Sequence, residues 1–299
     1  MRKQTTTLAI AALALGGLGV GSLPAQAAQI DNAITSVSSS GDAKVGEAVQ
    51  LTAQWKVPDF SKAGDTFTLS LPAELIPLAS SFPILDDQGN VVANAVAANG
   101  QVVVTLTDFV NTHPINVHGT LNFSVRISIN ATVGEPITVN WGGQTTVITP
   151  KGWANPVGKI TKPHKFGWAT SGGEVGWGFD IPGQLDNVVL NDLPKDVKLR
   201  CESLYVSEGD QTNGAPSTWT TLSPSQYDVV CDENGFTLKV NQIAQDHVIR
   251  VVIRSTPTAG LSEVTNTWSL TANQGPAEGV ATSPVYSADG TGAGESPAP

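Results

Sequence analysis

The chain has 299 residues, with 16 Lys and Arg against 26 Asp and Glu, 14% charged side chains, 30 Gly, 19 Pro and two Cys. Soluble domains average about 25% charged residues, so this composition argues against helical bundles and coiled coils, which need Lys, Glu and Leu at helical spacing. A net charge of −10 with no basic run argues against nucleic acid and anionic membrane surfaces as partners.

Arg2 and Lys3 open the chain, Leu8 to Val20 is an apolar run, and Leu23-Pro24-Ala25-Gln26-Ala27 ends in an A-x-A pattern. This order predicts a secretory signal peptide over residues 1–27. The run is too short for a membrane span of about 20 residues, so no transmembrane segment is expected in the mature chain. Losing Arg2 and Lys3 leaves 14 basic and 26 acidic side chains, a net charge of −12. An exported chain makes the only two cysteines, Cys201 and Cys231, a predicted disulfide.

From residue 28 onward, period-two alternation dominates. Strands are predicted at Val49–Trp55, Thr66–Leu71, Gln101–Leu106, Leu121–Ile127, Ile137–Trp141 and Thr145–Ile148, with single helical turns near Asp59–Ser61 and Pro72–Leu78. Pro150-Lys151-Gly152-Trp153-Ala154-Asn155-Pro156 reads as a boundary. Strands then resume at Glu174–Phe179, Asn187–Leu190, Val197–Tyr205, Gln226–Cys231, Phe236–Val240, His247–Ile253 and Glu263–Leu270. Two series of short strands predict an all-β chain of two tandem immunoglobulin-like antiparallel β-sandwiches, over residues 28–150 and 151–274. Residues 275–299 are rich in Gly, Ala, Ser and Pro and read as a linker tail, with weak alternation at Val280–Ser287.

Catalytic patterns are missing from this sequence: there is no G-x-S-x-G, H-E-x-x-H or Walker loop. His113 and His118 have no adjoining Cys or carboxylate cluster, and Asp86-Asp87 and Asp232-Glu233 sit in turns beside Gly or Asn. No enzyme activity, metal or other cofactor is expected. Of the seven tryptophans, Trp153 and Trp168 lie near the boundary and are the candidates for contact with a partner.

Gly64 to Pro72, followed by Thr105-Leu106-Thr107-Asp108-Phe109-Val110-Asn111-Thr112-His113, resembles the first immunoglobulin-like ligand-binding domain of Gram-positive surface adhesins, the clumping-factor, serine-aspartate repeat and collagen-adhesin proteins. In that family a T-Y-T-F-T-D-Y-V-D stretch marks the strand beside the latching cleft; here Leu106, Phe109 and Asn111 stand in place of its second Tyr-type, Tyr and Asp residues. Val175–Ile181 with Leu185–Asp192, and His247–Arg254 with Glu263–Trp268, resemble the opening and closing strands of the second domain.

The resemblance implies an adhesin, on the cell surface or secreted. It would bind an extracellular, fibrinogen- or collagen-like protein or peptide in the interdomain groove by β-strand addition. It further implies that the tail crosses the ligand as a latch. Gly279, Ala281, Ser283, Tyr286, Ala288 and Gly290 would form the latch, received by Thr105, Leu106, Thr107, Asp108, Phe109, Val110 and Asn111, with Trp153 and Trp168 lining the groove. Relatives with an internal Lys–Asn isopeptide bond direct attention to Asn266 with Lys162 or Lys165 and Asp180 or Glu174. The competing expectation is a spacer subunit of a pilus or surface layer, whose tail pairs with a neighbouring copy.

Overall fold

The computed structural model describes residues 27–154 and 158–297. All but one residue of the predicted signal peptide therefore lies outside the described residues. The first domain contains β1 (Ile34–Ser39), β2 (Ala48–Lys56), β3 (Thr66–Ser70), β4 (Leu75–Pro77), β5 (Ser81–Leu85), β6 (Val91–Ala98) and β7 (Gln101–Leu106). A single helical turn, α1 (Phe109–Thr112), then leads into β8 (Ile115–Ile127), β9 (Ile137–Trp141) and β10 (Gln144–Ile148). The second domain contains β11 (His164–Ala169), β12 (Val175–Pro182), β13 (Leu185–Lys195), β14 (Val197–Asp210), β15 (Trp219–Thr221) and β16 (Asp228–Asp232). It continues through β17 (Gly235–Ile243), β18 (His247–Pro257), β19 (Glu263–Ala272) and β20 (Gly275–Pro284), and the chain closes with β21 (Asp289–Glu295).

Alternation places one side of each strand in a core. In β2, Val49, Leu51, Ala53 and Trp55 are buried while Gln50, Gln54 and Lys56 face solvent. Trp55 packs on Phe67 at 5.5 Å and Phe123 on Trp141 at 6.1 Å, within a core confined to the first domain. A second core is centred on β12, whose Trp177, Phe179 and Ile181 point inward, with Phe179 edge-on to Trp268 at 4.7 Å. The all-β tandem sandwich expected from the strand series is the observed architecture. Leu75–Pro77 forms a short strand rather than a helical turn, because buried Leu75 is drawn into the sheet opposite Ile127 of β8.

The second domain is two five-stranded sheets, ordered β11-β12-β18-β14-β15 and β16-β17-β13-β19-β20. Cys201 on β14 and Cys231 on β16 form the expected disulfide, with Cα atoms 5.9 Å apart, and so tie one sheet to the other. By loop entropy, a cross-link over a separation of 30 residues stabilises by about 3–4 kcal/mol. Reduction is expected to lower the Tm of the second domain by roughly 10 °C, checked by calorimetry with and without reductant.

Residues 151–154 stay with the first domain: Lys151 N–H donates to Ala43 O at 3.0 Å and Ala154 N–H to Val45 O at 3.1 Å. The tail divides. Residues 275–284 are the edge strand β20, paired with β19, and only β21 leaves the second domain. Between them Val285 packs on the second core and Ala288 on the first, so the chain crosses between domains within four residues. No helix among the described residues is long and apolar enough to cross a membrane.

Candidate functional site: a tail strand and an interdomain groove

In the first domain the sheet runs β1-β2-β8-β21-β5-β6-β7-β3. The tail strand β21 is antiparallel to β8, with Gly290 opposite Leu121 and Gly292 opposite Gly119, and parallel to β5, with Gly290 opposite Ile84. It is the strand that joins β1-β2-β8 to β5-β6-β7-β3. Without it, β8 and β5 would each present an edge of unpaired backbone N–H and C=O groups.

Small residues make the fit. A Cβ at Gly290 would come within 2.7 Å of Ile84, and one at Gly292 within 2.9 Å of Val92. At Gly294 it would lie 2.9 Å from the His113 carbonyl and 3.2 Å from the Phe109 ring. On the opposite wall, a Cβ at Gly119 of β8 would collide with the Thr291 carbonyl oxygen. The outward side chains are anchored instead: Asn122 Nδ2 donates to Asp289 at 2.9 Å and Asn116 Nδ2 to Glu295 at 2.8 Å.

The expected latch residues separate. Gly279, Ala281 and Ser283 belong to β20, where their smallness serves packing in the second domain; a Cβ at Gly279 would press on the Trp268 ring at 2.9 Å. Tyr286 lines an interdomain cavity, Ala288 rests on the first core, and Gly290 lies in the inserted strand. The expected cleft is displaced as well. Thr105 and Leu106 belong to β7, which β5 and β6 separate from β21, because β7 is already paired on both edges by β3 and β6. Thr107 hydroxyl donates to Val92 O at 2.9 Å, Asp108 accepts from Asn111 at 3.1 Å, and Val110 is buried in the first core. Phe109, stacked on His113 at 4.2 Å, meets the end of the tail strand.

Sequence reading missed β8 as the receiving wall. Gly119 interrupts the alternation, so the predicted strand begins at Leu121 although β8 begins at Ile115. A glycine inside a strand pattern, as in His118-Gly119-Thr120, is itself the signal of close backbone approach.

Between the domains lies a cavity of about 400 Å³ lined by Glu47, Arg126, Trp168, Pro284 and Tyr286 among others. Trp168 therefore lines this cavity. Trp153 is 52% exposed and bridged to Val45 on the first domain, and does not line this cavity. The domains also meet directly, Gly173 N–H donating to Leu78 O at 2.8 Å.

From Trp168 an aromatic strip runs along β11: Trp168, Phe166 and His164 are spaced 5.6 and 5.7 Å apart. The rings lie flat because β12 offers glycine beneath them; a Cβ at Gly176 would strike Trp168 and one at Gly178 would strike Phe166. Arg250 extends the strip. Its guanidinium lies 5.5 Å from Phe166 and 4.0 Å from Trp219, and Asp180 holds it bidentately at 2.6 and 2.7 Å. Such a bidentate clamp fixes the guanidinium's orientation over these rings.

Beneath this sheet Lys165, Asp192 and Asn266 are buried together. Lys165 Nζ pairs with Asp192 Oδ1, and Asn266 Nδ2 donates to Asp192 Oδ2 at 3.2 Å. Burial pushes the Lys165 amine down to about 8, the Asp192 charge opposing it, and pushes the Asp192 carboxyl up. Asn266 Oδ1 has no hydrogen-bond partner among the described residues. Of the expected alternatives, Asp180 is committed to Arg250, Glu174 to Arg200 and Arg254, and Lys162 is exposed.

Residues 42–133 match the model of a bacterial Ig domain. The collagen adhesin of S. aureus superposes with a TM-score of 0.69 at 14% identity, covering 91% of this chain and 99% of that one. The chain has the two-domain fold of the Gram-positive surface adhesins. The collagen-binding domain of Erysipelothrix rhusiopathiae surface protein RspB superposes on this chain at a TM-score of 0.58, with 16% identity over 91% of this chain and 100% of that one. The Enterococcus faecalis MSCRAMM ACE, which binds its ligands by the collagen hug model, gives 0.56 at 17% identity over 86% and 97%. Among curated proteins, none matches this sequence.

Proposed function

We propose that this chain is an extracellular adhesin, a binding protein rather than an enzyme. An extended segment of an extracellular protein would lie between the two sandwiches, with β21 holding the domains together around it. The observation that carries this reading is the insertion of β21 into the first domain, by a crossover whose Tyr286 lines the interdomain cavity. A ligand seated there would be enclosed by the crossover.

The ligand class proposed is an extended, proline-rich chain of the collagen type. Flat aromatic surfaces suit polyproline-like chains, which enter binding with little conformational entropy left to lose. The strip of Trp168, Phe166 and His164 supplies such a surface beside the cavity, and the adhesin-fold relatives from three Gram-positive genera are collagen binders.

Surface plasmon resonance of residues 28–299 over triple-helical collagen and other matrix proteins tests the reading. Binding to collagen is expected, with Phe166→Ala and Trp168→Ala each weakening it at least tenfold, as for central aromatic anchors. Absence of binding to every matrix protein would overturn it and favour the spacer. A tail-less control must end at Ser287, because ending at Gln274 would also remove β20, the edge strand paired with β19 in the second domain.

A further inference from the structure

The interdomain cavity holds an arginine without a carboxylate. Arg200 pairs with Glu174 and Glu202, Arg250 with Asp180, and Arg254 with Glu174. Arg126, on β8, has no ion pair among the described residues, and its buried Nε has no hydrogen-bond partner. Scarcity of acid does not explain this in a chain with 26 Asp and Glu. Glu47 shares the lining, but its carboxylate accepts from the Lys44 backbone N–H at 2.8 Å.

An unsatisfied buried donor carries a desolvation cost unless a bound group accepts from it; Arg126 is half-buried, and its Nε is the part removed from water without a partner. Burial already disfavours its charge, lowering its pKa, while its position at the end of β8 is fixed by pairing with both Ala48 and Ile76. Trp168 faces the same cavity from the second domain, so a group entering there would meet a cation on one wall and an aromatic ring on the other. Arginine in that setting is matched by a planar, bidentate acceptor.

We propose that Arg126 is a specificity site for a carboxylate: the ligand chain places an Asp or Glu side chain in the interdomain cavity, paired with Arg126 beside Trp168. This rests on the proposed function in taking the ligand to be an extended extracellular chain. It adds that the preferred segment is acidic at one position, which an aromatic strip by itself would not require. Desolvation of the pair makes the choice sharp, because a neutral side chain leaves the guanidinium unpaired.

The test uses residues 28–299 with indole-labelled tryptophan, the Trp168 signal being assigned through Trp168→Phe. The probes are the blocked tripeptide Gly-Pro-Glu and its Gly-Pro-Gln twin. The Glu peptide is expected to shift the Trp168 indole N–H with at least tenfold higher affinity, as a charge-assisted hydrogen bond provides. That preference should shrink in high salt, vanish in Arg126→Gln and survive in part in Arg126→Lys. Equal response to both peptides, or an Arg126→Gln profile like the parent's, would overturn the proposal, and a thermal melt identifies any variant that fails to fold.

A second arm separates the two readings. Immobilised triple-helical peptides with and without one Glu-bearing triplet should bind with a similar tenfold difference. Equal binding of both, unchanged by Arg126→Gln, overturns the carboxylate site and leaves the adhesin. Failure of both while the Trp168 shift persists overturns the collagen-type reading and leaves the site.

Discussion

A chain of residues 28–299 is expected to weigh less than the sum of its residues by one ammonia, beyond the two hydrogens lost to the Cys201–Cys231 disulfide. Lys165 on β11 and Asn266 on β19 belong to different sheets of the second domain and share the carboxyl of Asp192. In the bond-forming step the neutral Lys165 Nζ attacks Asn266 Cγ and a C–N bond forms. The Asn266 amide nitrogen leaves as ammonia, taking up a proton from the Lys165 amine by way of Asp192. Burial favours the reactive state of both groups, an uncharged amine and a protonated carboxyl.

Intact mass spectrometry under reducing conditions isolates the ammonia, and Asp192→Asn and Asn266→Ala should each retain the full mass. The bond would close a loop of about 100 residues, worth on the order of 4–5 kcal/mol in the loop-entropy model. Asn266→Ala should therefore lower the Tm of the second domain by roughly 10–20 °C. A parent protein at full mass would show that the three side chains form only an ion pair and a hydrogen bond.

Replacing Gly119 by valine is expected to expel the tail strand without dismantling either sandwich. The added Cβ would collide with the Thr291 carbonyl, whereas the two cores draw on other residues. Hydrogen exchange should show residues 289–295 losing protection, while β2 and the rest of β8 keep theirs. If β21 encloses a ligand, the G119V complex should dissociate on the order of a hundredfold faster, because an intramolecular closure is lost. A chain ending at Ser287 should behave the same way. Unchanged dissociation in both, with the tail demonstrably free, would reduce β21 to a structural strand.

These two predictions differ in how far the sequence foretold them. Alternation at Val49–Trp55 and Phe236–Val240 specified strands and their buried faces, because a half-buried strand writes its face into every second residue. Two such series, a boundary near Gly152 and a single pair of cysteines behind an expected signal peptide were enough for two sandwiches and one cross-link. The placement of Lys165 beside Asp192 was not readable. They are 27 residues apart, and the sequence pointed to Asp180 or Glu174 as the acid, whereas these pair with Arg250 and Arg200 and the acid beside Lys165 is Asp192.

The tail shows the same division most plainly. Composition alone determined that residues 275–299 carry side chains small enough to enter a slot, since Gly290, Gly292 and Gly294 recur at the strand period. Which strands receive them was decided by the tertiary structure, because backbone hydrogen bonds are the same for every residue and leave no mark of their partner in the sequence. β8 and β5 have free edges at that point and β7 does not, so the tail pairs there and passes Arg126 and Trp168 on its way between the domains.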